Sequence, residues 1–123
     1  MSLHDRPSLA ELLAAVRGYI AEEVAAKTGD RRARFRALIA ANVLAIAERE
    51  LANAPADAKA EDEGLRALGY ADAEPGVRRR QLCAEIRAGG YDAPDRFDLA
   101  LEFARAIVAR KLAVANPKYL ARG

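Results

Sequence analysis

The side chains that perform nucleophilic or metal chemistry are scarce in this sequence. It contains one histidine, one cysteine, one threonine and two serines, which are His4, Cys83, Thr28, Ser2 and Ser8. Covalent and acid–base catalysis need a nucleophile beside a base, and a metal site needs several converging N, S or O ligands. The chain also has no HxxE, ExxH, CxxC, GxGxxG, GKS or GKT motif. We therefore expect no catalytic residue, no metal and no cofactor, and we interpret Cys83 as a small buried hydrophobe.

Two polar side chains interrupt an apolar stripe in the first half of the chain. Phe35, Asn42 and Arg49 are seven residues apart, so on a helix they project on one face, beside apolar positions. A buried amide or guanidinium needs a hydrogen-bond partner, because its burial is otherwise costly. We predict a partly buried structural polar network of Asn42, Arg49 and Glu50. The carboxylates considered as partners of Arg49 are Glu50, Glu85, Asp92 and Asp95.

A ligand pocket is the alternative interpretation of the same polar residues. Asn42 and Arg49 on the second predicted helix would line it together with Arg87, Tyr91 and Asp92 at the end of the fourth. An arginine there would neutralise a phosphate or carboxylate. The ligand would then be an acyl-CoA, a nucleotide or a similar small molecule.

Arginines crowd the starts of two predicted helices. The clusters are Arg31, Arg32, Arg34 and Arg36, and Arg78, Arg79 and Arg80. A helix N-terminus already carries partial positive charge, so cations there call for a compensating anion. The acidic candidates, within one molecule or across a dimer, are Asp57, Glu61, Asp62, Glu63, Asp72 and Glu74. The interpretations, in order of preference, are solvated or intramolecular pairing, an anion- or partner-binding surface for protein, and a surface for a phosphate-bearing ligand or nucleic acid.

Charge and composition narrow the class of protein. The 123 residues include 20 Lys and Arg against 18 Asp and Glu, so no overall field draws the chain to nucleic acid or an anionic membrane. The arginine clusters also lack interleaved aromatic side chains or a recognisable reading helix. Charges interrupt every apolar run well before the roughly 20 residues of a membrane span. We expect a cytoplasmic, bacterial-type protein that binds protein rather than nucleic acid or membrane.

Capping signals and helical periodicity predict an antiparallel helical hairpin at the start of the chain. Ser8 with Glu11 three residues later forms a capping box, which begins a helix over about 8–27. Asp30 caps a second helix over about 31–53, which folds back on the first. The facing apolar stripes are expected to be buried. They consist of Leu9, Leu12, Leu13, Val16, Ile20 and Val24 in the first helix, and Phe35, Leu38, Ile39, Val43, Ile46 and Ala47 in the second.

Proline and glycine divide the second half of the chain. A short acidic helix is predicted over about 55–68, and a loop over 70–76 precedes a fourth helix that ends at Gly89. A fifth helix runs over about 94–115, and a C-terminal tail over 116–123 packs back.

These elements define the predicted fold. No segment alternates with period two, and no repeat is evident. We predict an all-α, single-domain bundle over residues 1–123, with about five helices of which four form the core. Residues 1–7 are expected to be a loose N-terminal lead.

Four segments together carry a resemblance to a known family. They span residues 6–17, 40–51, 86–89 and 112–120, and they keep their order along the chain. They resemble a small bacterial domain family of unknown function. The third helix and the loop at 69–77 depart from the family's pattern.

The resemblance implies an accessory role. Domains of this family are often encoded near acyl-CoA dehydrogenase-like and aminoglycoside-phosphotransferase-like enzymes, which implies a link to coenzyme A metabolism. It transfers no catalytic residues. We therefore expect a non-enzymatic module that binds a larger enzyme or itself. A small-ligand binding protein or enzyme is the first alternative, and nucleic-acid binding through the arginine clusters is the second.

Overall fold

Helices account for all regular secondary structure in the computed structural model, which describes residues 6–71 and 73–122. The elements are α1 (Leu9–Tyr19), a π-helical segment (Ile20–Val24), α2 (Ala25–Lys27), α3 (Arg31–Ala67), α4 (Pro75–Arg87), α5 (Pro94–Ala115) and α6 (Pro117–Arg122). No strand occurs within the two described ranges. The prediction of an all-α helical bundle is confirmed.

The capping box begins α1 as the sequence predicts. The Ser8 hydroxyl accepts a hydrogen bond from the Glu11 amide at 3.2 Å, and the Glu11 carboxylate accepts one from the Ser8 amide at 3.4 Å. At the next helix start, the Arg32 amide donates to the Asp30 carboxylate at 2.9 Å. These side chains satisfy amides that have no partner within their own helix.

The first helical segment and α3 form an antiparallel hairpin. Arg17 of α1 donates from Nε to Glu48 at 2.5 Å, and Arg34 donates from Nε to the Ala25 carbonyl at 3.0 Å. From the first contact to the second, the residue number rises along the first helical segment and falls along α3. This order is that of an antiparallel pair of helices. The predicted hairpin is therefore confirmed.

The predicted break at Pro55 is wrong, because α3 continues through this residue to Ala67. A proline inside a helix removes one backbone hydrogen bond and disfavours the helix locally. Here the chain on both sides of Pro55 packs against α5. Before the proline, Arg49 donates a hydrogen bond to α5. After the proline, Leu65 packs near α5. Tertiary packing on both sides offsets the local cost.

A small apolar cluster joins the end of α3 to α4 and α5. Leu65 is fully buried, and Leu82 and Tyr91 are buried with it. The partly buried side chains that pack on these three are Leu68, Tyr70, Ala100 and Phe103. We call these seven residues the distal cluster. It holds α4 and α5 on the C-terminal half of α3.

Glycines end α3 and α4, two of the helices that contribute side chains to the distal cluster. Gly69 has φ +100 and Gly89 has φ +86, in the left-handed region where a side chain is strained. At the first of these ends the Gly69 amide donates to the Arg66 carbonyl and the Tyr70 amide to the Leu65 carbonyl. These bonds satisfy carbonyls of the last turn of α3. The fourth helix begins two residues earlier than predicted, with Pro75 in its first turn.

The C-terminal segment forms a short helix on α5. Leu120 of α6 lines a cleft together with Leu101, Ala104 and Val108 of α5. The predicted packing of the tail is therefore present. Among the described helices, none has the length and apolar character needed to cross a membrane.

Candidate functional site

The five residues of the predicted ligand pocket do not converge. Asn42 and Arg87 are exposed, and so is Asp92. Tyr91 lies buried in the distal cluster with Leu65, which is 16 residues further along α3 than Arg49. At 1.5 Å per helical residue, that separation is about 24 Å. A pocket between the second and fourth helices lined by all five side chains is therefore not present.

Arg49 instead binds the end of another helix. Its Nε donates to the Val114 carbonyl at 2.7 Å, and its own carbonyl accepts a bond from the Asn53 amide group at 2.7 Å. Val114 lies in the last turn of α5, where carbonyls have no partner within the helix and a cation is favoured by the helix dipole. None of the four carboxylates considered as partners binds Arg49. Asn42 is exposed rather than partly buried, so it does not join Arg49 and Glu50 in a network.

The arginines at the start of α4 pair within the molecule. Arg78 is buried and forms an ion pair with Asp62, while Arg79 donates from Nε to Glu61 at 2.7 Å. The Glu61 carboxylate raises the pKa of Arg79 above its usual value, because it accepts a hydrogen bond from the charged form. Two of the three arginines therefore compensate the acidic segment of α3, and Arg80 is exposed.

The arginines at the start of α3 remain mostly in solvent. Arg34 is held by the Ala25 carbonyl. Arg31, Arg32 and Arg36 are exposed and have no ion-pair partner among the described residues. These three arginines therefore form a cationic surface with no ion pair to the rest of the described chain.

A charge-lined groove separates α3 from α5. Its volume is about 600 Å³, and apolar side chains such as Ile46 and Ile107 are among those that line it. Acidic residues of α3 and basic residues of α4 and α5 also line the groove. They are Glu50, Asp57 and Glu61 against Arg79, Arg110 and Lys111. The spacing of these α3 carboxylates, seven and four residues apart, is the sequence signal that could have indicated a common face.

Most of the two apolar stripes that were expected to be buried is exposed, and the partly buried members are Leu13, Ile20, Ile46 and Ala47. Along α3 the stripe includes Phe35, Leu38, Ile39 and Val43, of which Phe35 is 64% exposed. With Asn42 on the same face, we call these five residues the α3 stripe. Along α1 the exposed side chains are Leu9, Leu12, Val16 and Tyr19, which we call the α1 stripe.

The contact between α1 and α3 explains this exposure. The buried residues of the hairpin are alanines, namely Ala25, Ala37 and Ala41. Ala37 and Ala41 lie 11 and 7 residues before Glu48, on the α3 face that binds Arg17 of α1. The helices thus approach through small residues, and their larger apolar side chains project elsewhere. The prediction that the large apolar stripes face each other is wrong for this reason.

The described residues offer little to covalent or metal chemistry. Cys83 is exposed, so the expectation that it is a buried hydrophobe is wrong. Within residues 6–71 and 73–122, no three His, Cys, Asp or Glu side chains lie close enough to share a metal ion. The features that stand out among the described residues are surfaces.

Comparison with known proteins identifies a family. No curated protein and no solved structure gave a match. A family model described as a domain of unknown function (DUF6285) matches residues 27–119, which is most of the chain and includes α3, α4 and α5. The chain therefore belongs to the DUF6285 family.

Proposed function

We propose that this chain is a non-enzymatic interaction module, a single helical domain whose working surfaces are the α1 stripe and the α3 stripe. The observation that carries this proposal is the exposure of large apolar side chains along both helices. Soluble monomers rarely leave contiguous apolar patches of this kind in water, and such patches mark protein–protein contacts. The scarcity of nucleophiles and bases agrees with a binding role.

The partner that we propose is a second copy of the chain, a larger enzyme, or both. The resemblance described above points to acyl-CoA dehydrogenase-like enzymes of the cytoplasm as the larger partner. Large apolar and aromatic side chains dominate the energy of protein interfaces. Tyr19 and Leu12 on α1 and Phe35 on α3 are the anchors that we assign to this contact.

The test combines self-association with enzyme binding. The purified chain is run on a sizing column with light scattering, alone and mixed with an acyl-CoA dehydrogenase-like enzyme from the same genome. We expect the wild-type chain to associate with itself or to co-migrate with the enzyme. Leu12→Glu should weaken enzyme binding, and Leu99→Glu, which alters a similarly exposed side chain on α5, is the matched control. A chain that stays monomeric and binds no enzyme would refute the proposal.

A small-ligand site in the groove between α3 and α5 is a second candidate. It is favoured by Arg110 and Lys111, which lie at the groove and have no ion-pair partner among the described residues. A phosphate or carboxylate group would compensate them. Acyl-CoAs, nucleotides and sugar phosphates are added to the same samples in a thermal-shift measurement. Concentration-dependent stabilisation lost in Arg110→Ala would favour this candidate over the interaction module.

A further inference from the structure

We infer that the α3 stripe is the interface between two copies of this chain, in which the two α3 helices pack antiparallel about a twofold axis near Asn42. This inference rests on the proposed interaction function and names its partner for the α3 stripe. Three independent observations carry it: the exposed area, the position of Asn42, and the order of charges along α3.

The chain exposes more area than a compact monomer of this mass typically does. The chain exposes 9260 Å² at 13.3 kDa, whereas a folded monomer of that mass exposes about 6,500 Å². Full exposure of the seven residues outside the described ranges would account for about 1,100 Å² of the difference. The remaining excess of about 1,700 Å² falls within the range of about 1,000–2,500 Å² that each subunit buries in obligate homodimers. The exposed side chains of the α3 stripe contribute to this excess, together with those of the α1 stripe and of α5.

Asn42 fits a position on a twofold axis. It lies exposed within the α3 stripe, with Leu38 and Ile39 before it and Val43 after it. A side-chain amide carries both donors and an acceptor, so it can pair with its own copy across a twofold axis. A single polar residue within an apolar helical seam fixes the register of the pairing. A dimer interface thus explains why an amide occupies this position.

The charges along α3 are complementary to a second, antiparallel α3. Arg32, Arg36, Ile39, Val43 and Glu50 follow spacings of three, four or seven residues and lie on one line along the helix. The line is basic at its start, apolar in its middle and acidic at its end.

An antiparallel copy places unlike charges together at both ends of this line. The midpoint between Arg32 and Glu50 is residue 41, next to Asn42, so each Arg32 lies beside the Glu50 of the other copy. Both side chains are exposed and have no ion-pair partner within the described chain, and Glu50 also lines the groove beside α5. A parallel pairing would instead bring like charges together, which disfavours it. The antiparallel dimer thereby compensates Arg32, one of the arginines that the monomer leaves in solvent.

The experiment measures the mass of the full chain by sedimentation equilibrium over a range of micromolar concentrations. We expect wild type at twice the chain mass of 13.3 kDa. Leu38→Glu places a charge in the seam and should raise the dimer Kd by about a hundredfold. Because Leu38 is 51% exposed in the single chain, the variant should keep its helical circular dichroism. Leu99→Glu should stay dimeric. A monomeric wild type, or an unchanged Kd in Leu38→Glu, overturns the inference.

The charge order tests the antiparallel arrangement directly. Arg32→Glu and Glu50→Arg each turn an attraction into a repulsion at both ends of the dimer, and each should raise the Kd about tenfold. The double variant should restore the wild-type Kd. Unchanged Kd values in both single variants overturn the antiparallel pairing. A monomeric chain that still co-migrates with the enzyme refutes the dimer alone and leaves the proposed function standing.

Discussion

The two halves of α3 differ in the burial of their large apolar side chains. Near its C-terminal end, Leu65 is fully buried under side chains of α4 and α5. In its N-terminal half the buried residues are Ala37 and Ala41, while Leu38 is 51% exposed. The rest of the chain therefore covers the large apolar side chains at the C-terminal end of α3 and leaves those in its N-terminal half uncovered. This difference is the reason why we assign the proposed partner-binding surface to the uncovered half.

Polar contacts follow the same division. The C-terminal half pairs its charges internally, with Arg78 on Asp62 and Arg79 on Glu61. The N-terminal half forms an ion pair with Arg17 through Glu48 but leaves Arg32 and Arg36 in solvent. Charges at the rim of an interface set its orientation and its rate of association more than its affinity. The unpaired arginines thus belong to the half that we assign to partner binding.

Truncation of one leucine in each half gives the largest expected contrast. Leu65→Ala should lower the free energy of unfolding by about 2–5 kcal/mol, since it removes a fully buried side chain and leaves a cavity. Leu38→Ala should cost less than about 1 kcal/mol where the chain is monomeric. Urea unfolding at two protein concentrations measures both. At high concentration the cost of Leu38→Ala should increase, because the wild type then gains from association. Similar costs for both variants at low concentration would contradict the contrast.

Replacement of two glycines by alanine should change the stability of the protein in opposite directions. A Cβ at Gly64 would lie 2.8 Å from the Phe103 ring, whereas a Cβ at Gly18 of α1 meets nothing within 4 Å. Alanine favours a helix over glycine by about 1 kcal/mol. Gly18→Ala should therefore stabilise the protein by about that amount. Gly64→Ala should destabilise it by about 1–2 kcal/mol, because overpacking exceeds the gain. Thermal unfolding checks both, and stabilisation by Gly64→Ala would show that the distal cluster is loosely packed.

Local signals predicted the helix ends well. Ser8 and Asp30 are caps whose effect lies within three residues, and Gly69 and Gly89 supply the left-handed conformation that ends a helix. Pro55 is the exception. Packing of α5 against α3 both before and after Pro55 outweighs the local preference of this residue, and the neighbouring residues in the sequence do not reveal such packing.

The candidate surfaces could be predicted only in part. Periodicity placed Phe35, Leu38 and Ile39 on one face correctly, but periodicity does not say what covers a face. The alanines of the hairpin contact, Ala37 and Ala41, were the signal that α1 would not cover it. The partner of Arg49 could not be predicted, because no residue type in the sequence indicates which backbone carbonyl at a helix end will accept a hydrogen bond. Pairing of Arg78 and Arg79 with the acidic segment was among the open interpretations, since opposite charges are readable.

The smallest expected effect concerns the hydroxyl pair of the distal cluster. The Tyr70 and Tyr91 hydroxyls are 2.8 Å apart. Burial raises the pKa of Tyr70 above its usual value of 10.0, because desolvation disfavours the phenolate, and the Tyr91 hydrogen bond adds to the shift. Tyr70→Phe should cost about 1 kcal/mol at neutral pH through the lost hydrogen bond. Urea unfolding near neutral pH measures this cost, and Tyr119→Phe on exposed α6 is the matched control.

The same variant tests the pH dependence of the distal half. Because the folded protein holds the Tyr70 proton more tightly than the unfolded chain does, the unfolded state loses it first as the pH rises past about 10. The stabilisation from this group is thus fully present below that pH and declines above it. Wild type should lose stability between pH 9 and about 11 more steeply than Tyr70→Phe does, while Tyr119→Phe should follow wild type. Equal pH dependence of stability in all three proteins would mean that the tyrosine pair is open to water. The core of the distal half would then not be closed to solvent.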